Sequence, residues 1–587
     1  MKIPTSILWT ALILGAAVLA WSCAPALTFH PRTGLALGAG GSRWVDEMME
    51  RLTLEDKVAQ MIGCRYAGEF YPADGEQAAY LRRLVARHRV GGMVIFGGEA
   101  YETALLNNAL QSLADVPLLV ASDLERGVGT QITGATLFPA IMGLGAADSE
   151  DLAYEMGKYT AIEGRALGIH MTYAPVVDVN INPDNPIINT RAIGENPEQI
   201  GRLAAAFIKG CQDNGMIATA KHFPGHGDTD LDSHILLPVI KADRERLEKV
   251  ELSPYRRAIE AGVGAIMVSH LVVPALDPTP NLPATLSYAI LTEFLRKQMG
   301  FRGLIVTDAM EMGGVANSYT PTEAALKAIQ AGCDMVLLPL ETEKVVEFLK
   351  EQVRTGVLSA ERIDASARRI LEAKARLGLH RNRFVDVASL PLKLGQKDAL
   401  DQALKTFEAA ATLVKNGGSI VPLKPETKVA VFSLSSDRGD YFAGRTFANA
   451  VKARAPQTEI FYADADTGQE YLDDAFNKAA GADVYLCALF SSLSAWKGSV
   501  GLDAKHTSLI KKLKETGKPV VAVSFGSPYF LRDFPGIDAY LCLYRNQPQT
   551  QSTAAKAIFG EIDVTGKLPV TIPGAAAAGQ GVVLKKK

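Results

Sequence analysis

Between residues 43 and 385, eight short apolar runs alternate with longer, charged stretches of helical pattern. The runs fall at 58–64, 92–96, 117–122, 171–177, 217–221, 265–269, 304–307 and 334–338. Strand and helix in strict alternation build parallel sheet, because a parallel neighbour is reached only through a crossover. Eight such units over this length predict a (β/α)8 barrel, the TIM barrel, with insertions. The 587 residues exceed one ordinary core, so a second domain is required. A second alternation supplies it, with runs at 428–434, 459–463, 483–490, 520–525 and 539–544. The fold class is therefore α/β: a barrel at 43–385, a connector at 386–427 with a helix over 397–413, and at 428–587 a smaller α/β sandwich domain with a mostly parallel sheet. No G-x-G-x-x-G follows the first strand of that second domain, so no nucleotide is assigned to it. The end, 581–587, reads as a loose basic tail.

Polar residues cluster where the barrel runs end. Asp123 follows the third run and Asp178 the fourth; Lys221 and His222 close the fifth; His270 closes the sixth and Asp308 follows the seventh. Taken singly, each suits a helix N-cap. In a barrel, however, the C-terminal ends of all strands share one face, and that is where active sites lie.

The fifth run opens into residues 221–234, KHFPGHGDTDLDSH, with three His, three Asp and one Lys in fourteen positions. His222 and His226 have zinc-helix spacing, but Pro224 and Gly225 between them break the helix that would align the pair. Asp228, Asp230 and Asp232 alternate as a calcium loop begins, yet Ser233 and Val239 stand where that loop needs Gly and Glu. Acid–base work by Asp232 and His234 is the remaining reading. Residues two apart on an extended segment share a side. An Asp on one ring nitrogen leaves the other to carry a proton near neutral pH. The part after Gly225 is expected to be the mobile portion.

Net charge is −3, so there is no basic footprint for nucleic acid. Six scattered Cys show no paired spacing, which argues against a disulfide framework. At the N-terminus, Lys2 precedes an apolar run from Ile7 to Trp21, about fifteen residues and the length of a signal h-region. Ala20-Trp21-Ser22-Cys23 then suggests a lipoprotein signal over 1–23, with acylation at Cys23 preferred over simple secretion or an uncleaved anchor. Residues 24–42 read as a tether. The expected location is outside the inner membrane, periplasmic or in the cell envelope, and membrane contact is expected only through that anchor.

With these residues in hand the chain resembles glycoside hydrolase family 3, most closely its β-N-acetylglucosaminidase branch. The 221–234 string fills every fixed position of the K-H-F-P-G-H-G-D-T-x-x-D-S-H signature. APVVDV at 174–179, TRAIGENP at 190–197, MVSH at 267–270 and VTDAM at 306–310 agree. ATLVKN at 411–416 and LPVTIP at 568–573 extend the likeness more loosely into the second domain. The resemblance implies Asp308 as nucleophile, His234 as general acid/base and Asp232 as its partner. It implies Asp123, Arg191, Lys221 and His222 as contacts to the terminal sugar, with a supporting place for His270. One segment departs: the family often shows D-Q-E-G-G-R-V and then another Arg, whereas 123–129 read DLERGVG and Gln131 takes that Arg position. The implied activity is a retaining exo-β-N-acetylglucosaminidase acting on peptidoglycan fragments or chito-oligosaccharides, monomeric, without metal or organic cofactor. Transfer to phosphate instead of water is the first alternative. A non-catalytic sugar-binding lipoprotein is the second, and a β-glucosidase or β-xylosidase is the nearest enzymatic error.

Overall fold

The computed structural model describes residues 37–492 and 501–587. The signal segment, Cys23 and most of the tether lie outside the described residues. Eight parallel strands close the first sheet: β1 (Ile62–Gly68), β2 (Gly92–Glu99), β3 (Leu119–Ser122), β5 (Met171–Thr172), β6 (Ile217–Phe223), β7 (Ala265–Val268), β8 (Leu304–Ala309) and β9 (Met335–Leu337). They run in the order β1-β9-β8-β7-β6-β5-β3-β2, and β1 pairs with β2 to complete the circle. A two-residue strand, β4 (Ile132–Thr133), adds to the end of β2. The barrel strands are buried almost throughout, as expected of parallel strands covered by helices on one side and by the barrel interior on the other.

The first strand begins four residues later than the apolar pattern suggests. Leu54–Ala59 is helical, because Thr53 caps it by accepting from Asp56 N–H at 3.1 Å. Glu55 and Asp56 also sit in its first turn, where the helix dipole favours acids. This cap overrides the strand preference of Val58 and moves Arg65 onto β1. The tether is shorter than expected: the helix Ala39–Arg51 starts inside it and packs Val45 and Met48 against Leu371 and Ala375.

The second sheet has the order β10-β15-β14-β13-β11-β12, with β10 (Thr412–Asn416), β11 (Val429–Ser435), β12 (Glu459–Ala463), β13 (Val484–Phe490), β14 (Val520–Ser524) and β15 (Ala539–Cys542). All neighbours are parallel except β10 against β15. Strand β10 lies in the stretch read as connector, whose helix stops at Ala410. Alternate residues feed opposite faces: Ala430 and Phe432 join one core, Val429 and Val431 the other. The C-terminal tail is not loose, since Val564 and Leu584 form an antiparallel bridge.

The two domains share a core. Ala140, Met142 and Ala146 of the barrel chain pack among the second domain's apolar residues. Polar contacts reinforce the seam. Asn180 Nδ2 donates to the Tyr529 hydroxyl at 2.8 Å, and Thr571 Oγ1 and N–H donate to the two Glu195 oxygens at 2.7 and 2.6 Å.

Candidate active site

The strand ends meet as the barrel geometry requires. Six of the seven expected residues, Asp123, Arg191, Lys221, His222, His234 and Asp308, line one cavity of about 280 Å³ at the C-terminal mouth. The seventh, Asp232, lies behind His234 and touches its ring. A larger cleft of about 700 Å³ opens beside Gly264 and Gly303, at the N-terminal ends of β7 and β8. That face of a barrel ordinarily serves stability, and none of the residues singled out in the sequence lines the cleft.

Charge in the floor is tightly balanced. The Lys221 side chain is 3% exposed and reaches Asp123 Oδ1 at 2.5 Å and Glu125 Oε1 at 2.8 Å. Arg191 grips Glu125 in a fork, Nη2 to Oε1 at 2.7 Å and Nε to Oε2 at 3.1 Å, the planar match that guanidinium makes with carboxylate. Burial alone would push the Glu125 carboxyl up, but Arg191 and Lys221 outweigh it and hold the group well below its ordinary range. Burial would likewise lower Lys221, but Asp123 and Glu125 raise it, so the ammonium stays charged.

His222 is oriented from behind. Its Nδ1 lies 2.7 Å from Asp178 Oδ2, and its Nε2 lies 3.4 Å from Arg191 Nη2. Asp308 sits at the end of β8, with Oδ1 accepting from Ala309 N–H at 2.8 Å. Burial pushes its carboxyl up; His222, His270 and His234, with that N–H, more than reverse this and hold it below the ordinary value. His270 Nε2 lies 3.0 Å from Ala309 O and Nδ1 2.7 Å from Thr285 Oγ1, so it braces the backbone beside Asp308.

The segment carrying His234 is seated over the mouth. His234 Nδ1 and N–H both reach Asp232 Oδ1, at 2.8 and 2.9 Å. Asp232 is 1% exposed and His234 23%, so the ring's other face meets the cavity. Backbone bonds from Gly313 and Gly314 N–H to His234 O and Ser233 O, at 2.9 and 3.1 Å, tie the segment to the loop after β8. At its start, Arg246 bridges Asp228 and Glu251 at 2.6 and 2.8 Å. The close turn before it needs Gly227, whose added Cβ would sit 1.8 Å from Val179 O. His226 is buried, which drives its pKa down to about 4; its two ring nitrogens face Thr229 Oγ1 and Ser233 Oγ at 2.9 and 2.8 Å.

Several cavity or floor residues escape sequence reasoning, Glu311 and Met312 of the loop after β8 among them. Glu125 stands two places after Asp123, and nothing in its spacing announces a buried pairing. Arg65 and Phe96 line the cavity from β1 and β2; Arg65 pairs with Glu311 and lies 4.3 Å from the Phe96 ring centroid. Arg65 is missed because the apolar run stops short of it. Tyr173 follows β5 directly. The departing Gln131 accepts from Gly97 N–H at 3.0 Å and donates to Asp123 O at 3.4 Å, so it braces the loop that carries Asp123.

A carboxylate and an Asp-supported histidine sharing a polar cavity at a barrel mouth are suited to acid–base chemistry. Comparison with known proteins agrees. Residues 53–373 match the glycosyl hydrolase family 3 N terminal domain and residues 411–583 the family's C-terminal domain, so the chain belongs to glycosyl hydrolase family 3 and is a glycoside hydrolase. It is 29% identical to a β-N-acetylglucosaminidase/β-glucosidase of Cellulomonas fimi, over 91% of this chain and 96% of that one. It is 30% identical to β-hexosaminidase A of Pseudoalteromonas piscicida, over 88% and 97%. Among solved structures, the family 3 β-N-acetylglucosaminidase of Paenibacillus sp. str. FPU-7 aligns with a TM-score of 0.79 at 30% identity, covering 89% of this chain and 99% of that one. A β-glucoside phosphorylase aligns at 0.83 and 27%, covering 93% and 99%.

Proposed function

We propose that the protein is a retaining exo-β-N-acetylglucosaminidase, with Asp308 as nucleophile and the Asp232–His234 pair as acid/base. The observation that carries this reading is the shared cavity: the Asp308 carboxyl, held ionised, and the His234 ring face the same space. In the first step His234 protonates the glycosidic oxygen while Asp308 attacks the anomeric carbon, releasing the aglycone and leaving a glycosyl ester. In the second step the neutral imidazole takes a proton from water, which opens the ester. Asp232 supports the imidazolium in both directions. Lys221, Asp123 and Arg191 in the cavity wall, with Glu125 behind them, supply donors and acceptors for sugar hydroxyls. The Cellulomonas and Paenibacillus relatives carry β-N-acetylglucosaminidase in their names, the former together with β-glucosidase, and the Pseudoalteromonas relative is named a β-hexosaminidase, which favours GlcNAc. Peptidoglycan fragments or chito-oligosaccharides are the natural source in this reading, with the protein exported as a monomer and anchored through Cys23.

A second reading keeps every residue and changes the acceptor. The structural likeness to a β-glucoside phosphorylase favours it, as does a histidine where a carboxylate would repel an incoming phosphate. Product analysis on GlcNAc-MurNAc and chitobiose, with and without phosphate, separates the two. Free GlcNAc in both buffers is the expected result; GlcNAc-1-phosphate as the main product would replace hydrolysis with phosphorolysis.

A further inference from the structure

Asp178 takes no part in the chemistry above, yet it is a fully buried carboxylate holding two histidines of the site. Its Oδ2 lies 2.7 Å from His222 Nδ1, and its Oδ1 accepts from the N–H groups of His222 and His226 at 3.2 and 2.7 Å. Burial pushes the carboxyl up; the facing His222 and His226, with the His226 N–H, outweigh it and keep Asp178 ionised. The remaining ionisable groups that feel its charge are Arg191 and Tyr255.

Two consequences follow. An ionised carboxylate only accepts, so His222 must present a proton on Nδ1 to it, which fixes the ring's tautomer and turns Nε2 toward Arg191 and the cavity. The other consequence runs through His226. With its backbone fixed by Asp178, its ring meets Ser233 Oγ at 2.8 Å, and Ser233 stands between Asp232 and His234.

We propose that Asp178 is a positioning residue with two arms, one setting the proton pattern of His222 beside Asp308, the other seating the Asp232–His234 segment through His226 and Ser233. This rests on the roles given to Asp308 and His234 above.

Asparagine at 178 separates these arms from mere space filling. The two backbone N–H groups require its amide oxygen, so its NH2 would face His222 Nδ1 and donate to it. The ring would then carry its proton on Nε2, which would face Arg191 Nη2 donor to donor.

The test uses the full-length enzyme, with kcat and KM measured for phenyl and dinitrophenyl β-GlcNAc, since the dinitrophenyl leaving group departs without a general acid. Asp178→Asn is expected to raise KM about twofold on both glycosides, as His222 Nε2–H and Arg191 repel, and to lose roughly tenfold or more in kcat/KM on the phenyl glycoside but only about twofold on the dinitrophenyl one. His226→Gln is expected to reproduce the leaving-group selectivity without the rise in KM. An unchanged KM together with equal losses on both glycosides would overturn the proposal. Should Asp178→Asn fail to fold, His226→Gln decides the loop arm and His222→Gln the other, with the same two readouts. Near wild-type turnover by Asp308→Ala would reject the functional reading itself, which the Asp178 data cannot do.

Discussion

Asp308 must be ionised to attack, and its surroundings keep it so. Its folded pKa lies below the ordinary carboxylate value, so its charge is present above that lowered pKa and is lost only as pH falls through it. The acidic limb of kcat/KM is therefore expected below the usual carboxylate range; a limb at or above pH 5 would contradict the electrostatic account. Replacing Asp308 with Ala is expected to cost at least about 10³-fold in kcat on any aryl β-GlcNAc, because no covalent route remains. His234→Ala is expected to cost about 10²–10⁴-fold on poor leaving groups and far less on dinitrophenyl, as removal of an acid requires. At this scale the sequence was largely legible: the 221–234 string and the strand-end rule named residues that do share one cavity. It could not announce Glu125, whose importance lies in touching Arg191 and Lys221, residues 66 and 96 positions away that only the closed barrel brings to it.

At the scale of elements, boundaries were the weak point, and the reasons are local. The Thr53 cap turned part of an apolar run into helix and carried Arg65 onto β1. Strand β10 was hidden because Ala409, Ala410 and Ala411 extend the helical pattern up to Thr412. Two predictions belong here. Gly227→Ala places a Cβ against Val179 O, so the turn beneath the His234 segment must shift; loss of kcat/KM by at least about tenfold is expected, along with a lowered Tm. Lys374, buried on the helix Ala360–Arg376, has its pKa driven by burial from 10.5 down to about 7, with Gln60 Oε1 at 2.6 Å as its partner. Between those values the unfolded chain binds more protons, so stability rises with pH as the cost of holding Lys374 unprotonated in the fold falls. The Tm of wild type relative to Lys374→Met should therefore climb as pH goes from 7 toward 10, and a flat difference would show that Lys374 keeps its proton in the fold across that range.

Over the whole molecule, the alternation of apolar runs with helices was enough to predict the barrel and a second, mostly parallel sheet. It was silent on how they join. The seam depends on Ala140, Met142 and Ala146, which look like barrel residues and pack in the second domain's core. A fragment ending near 410 would expose that apolar surface, so the barrel alone is expected to aggregate, while the full chain melts in one cooperative transition.

The central claim is a covalent glycosyl-enzyme on Asp308. Inactivation with a 5-fluoro GlcNAc fluoride, followed by proteolysis and mass spectrometry of the peptides, tests it most directly. The account predicts one added sugar, located on Asp308 and absent after preincubation with excess GlcNAc. A label on another carboxylate, with Asp308 unmodified in the inactivated enzyme, would contradict it.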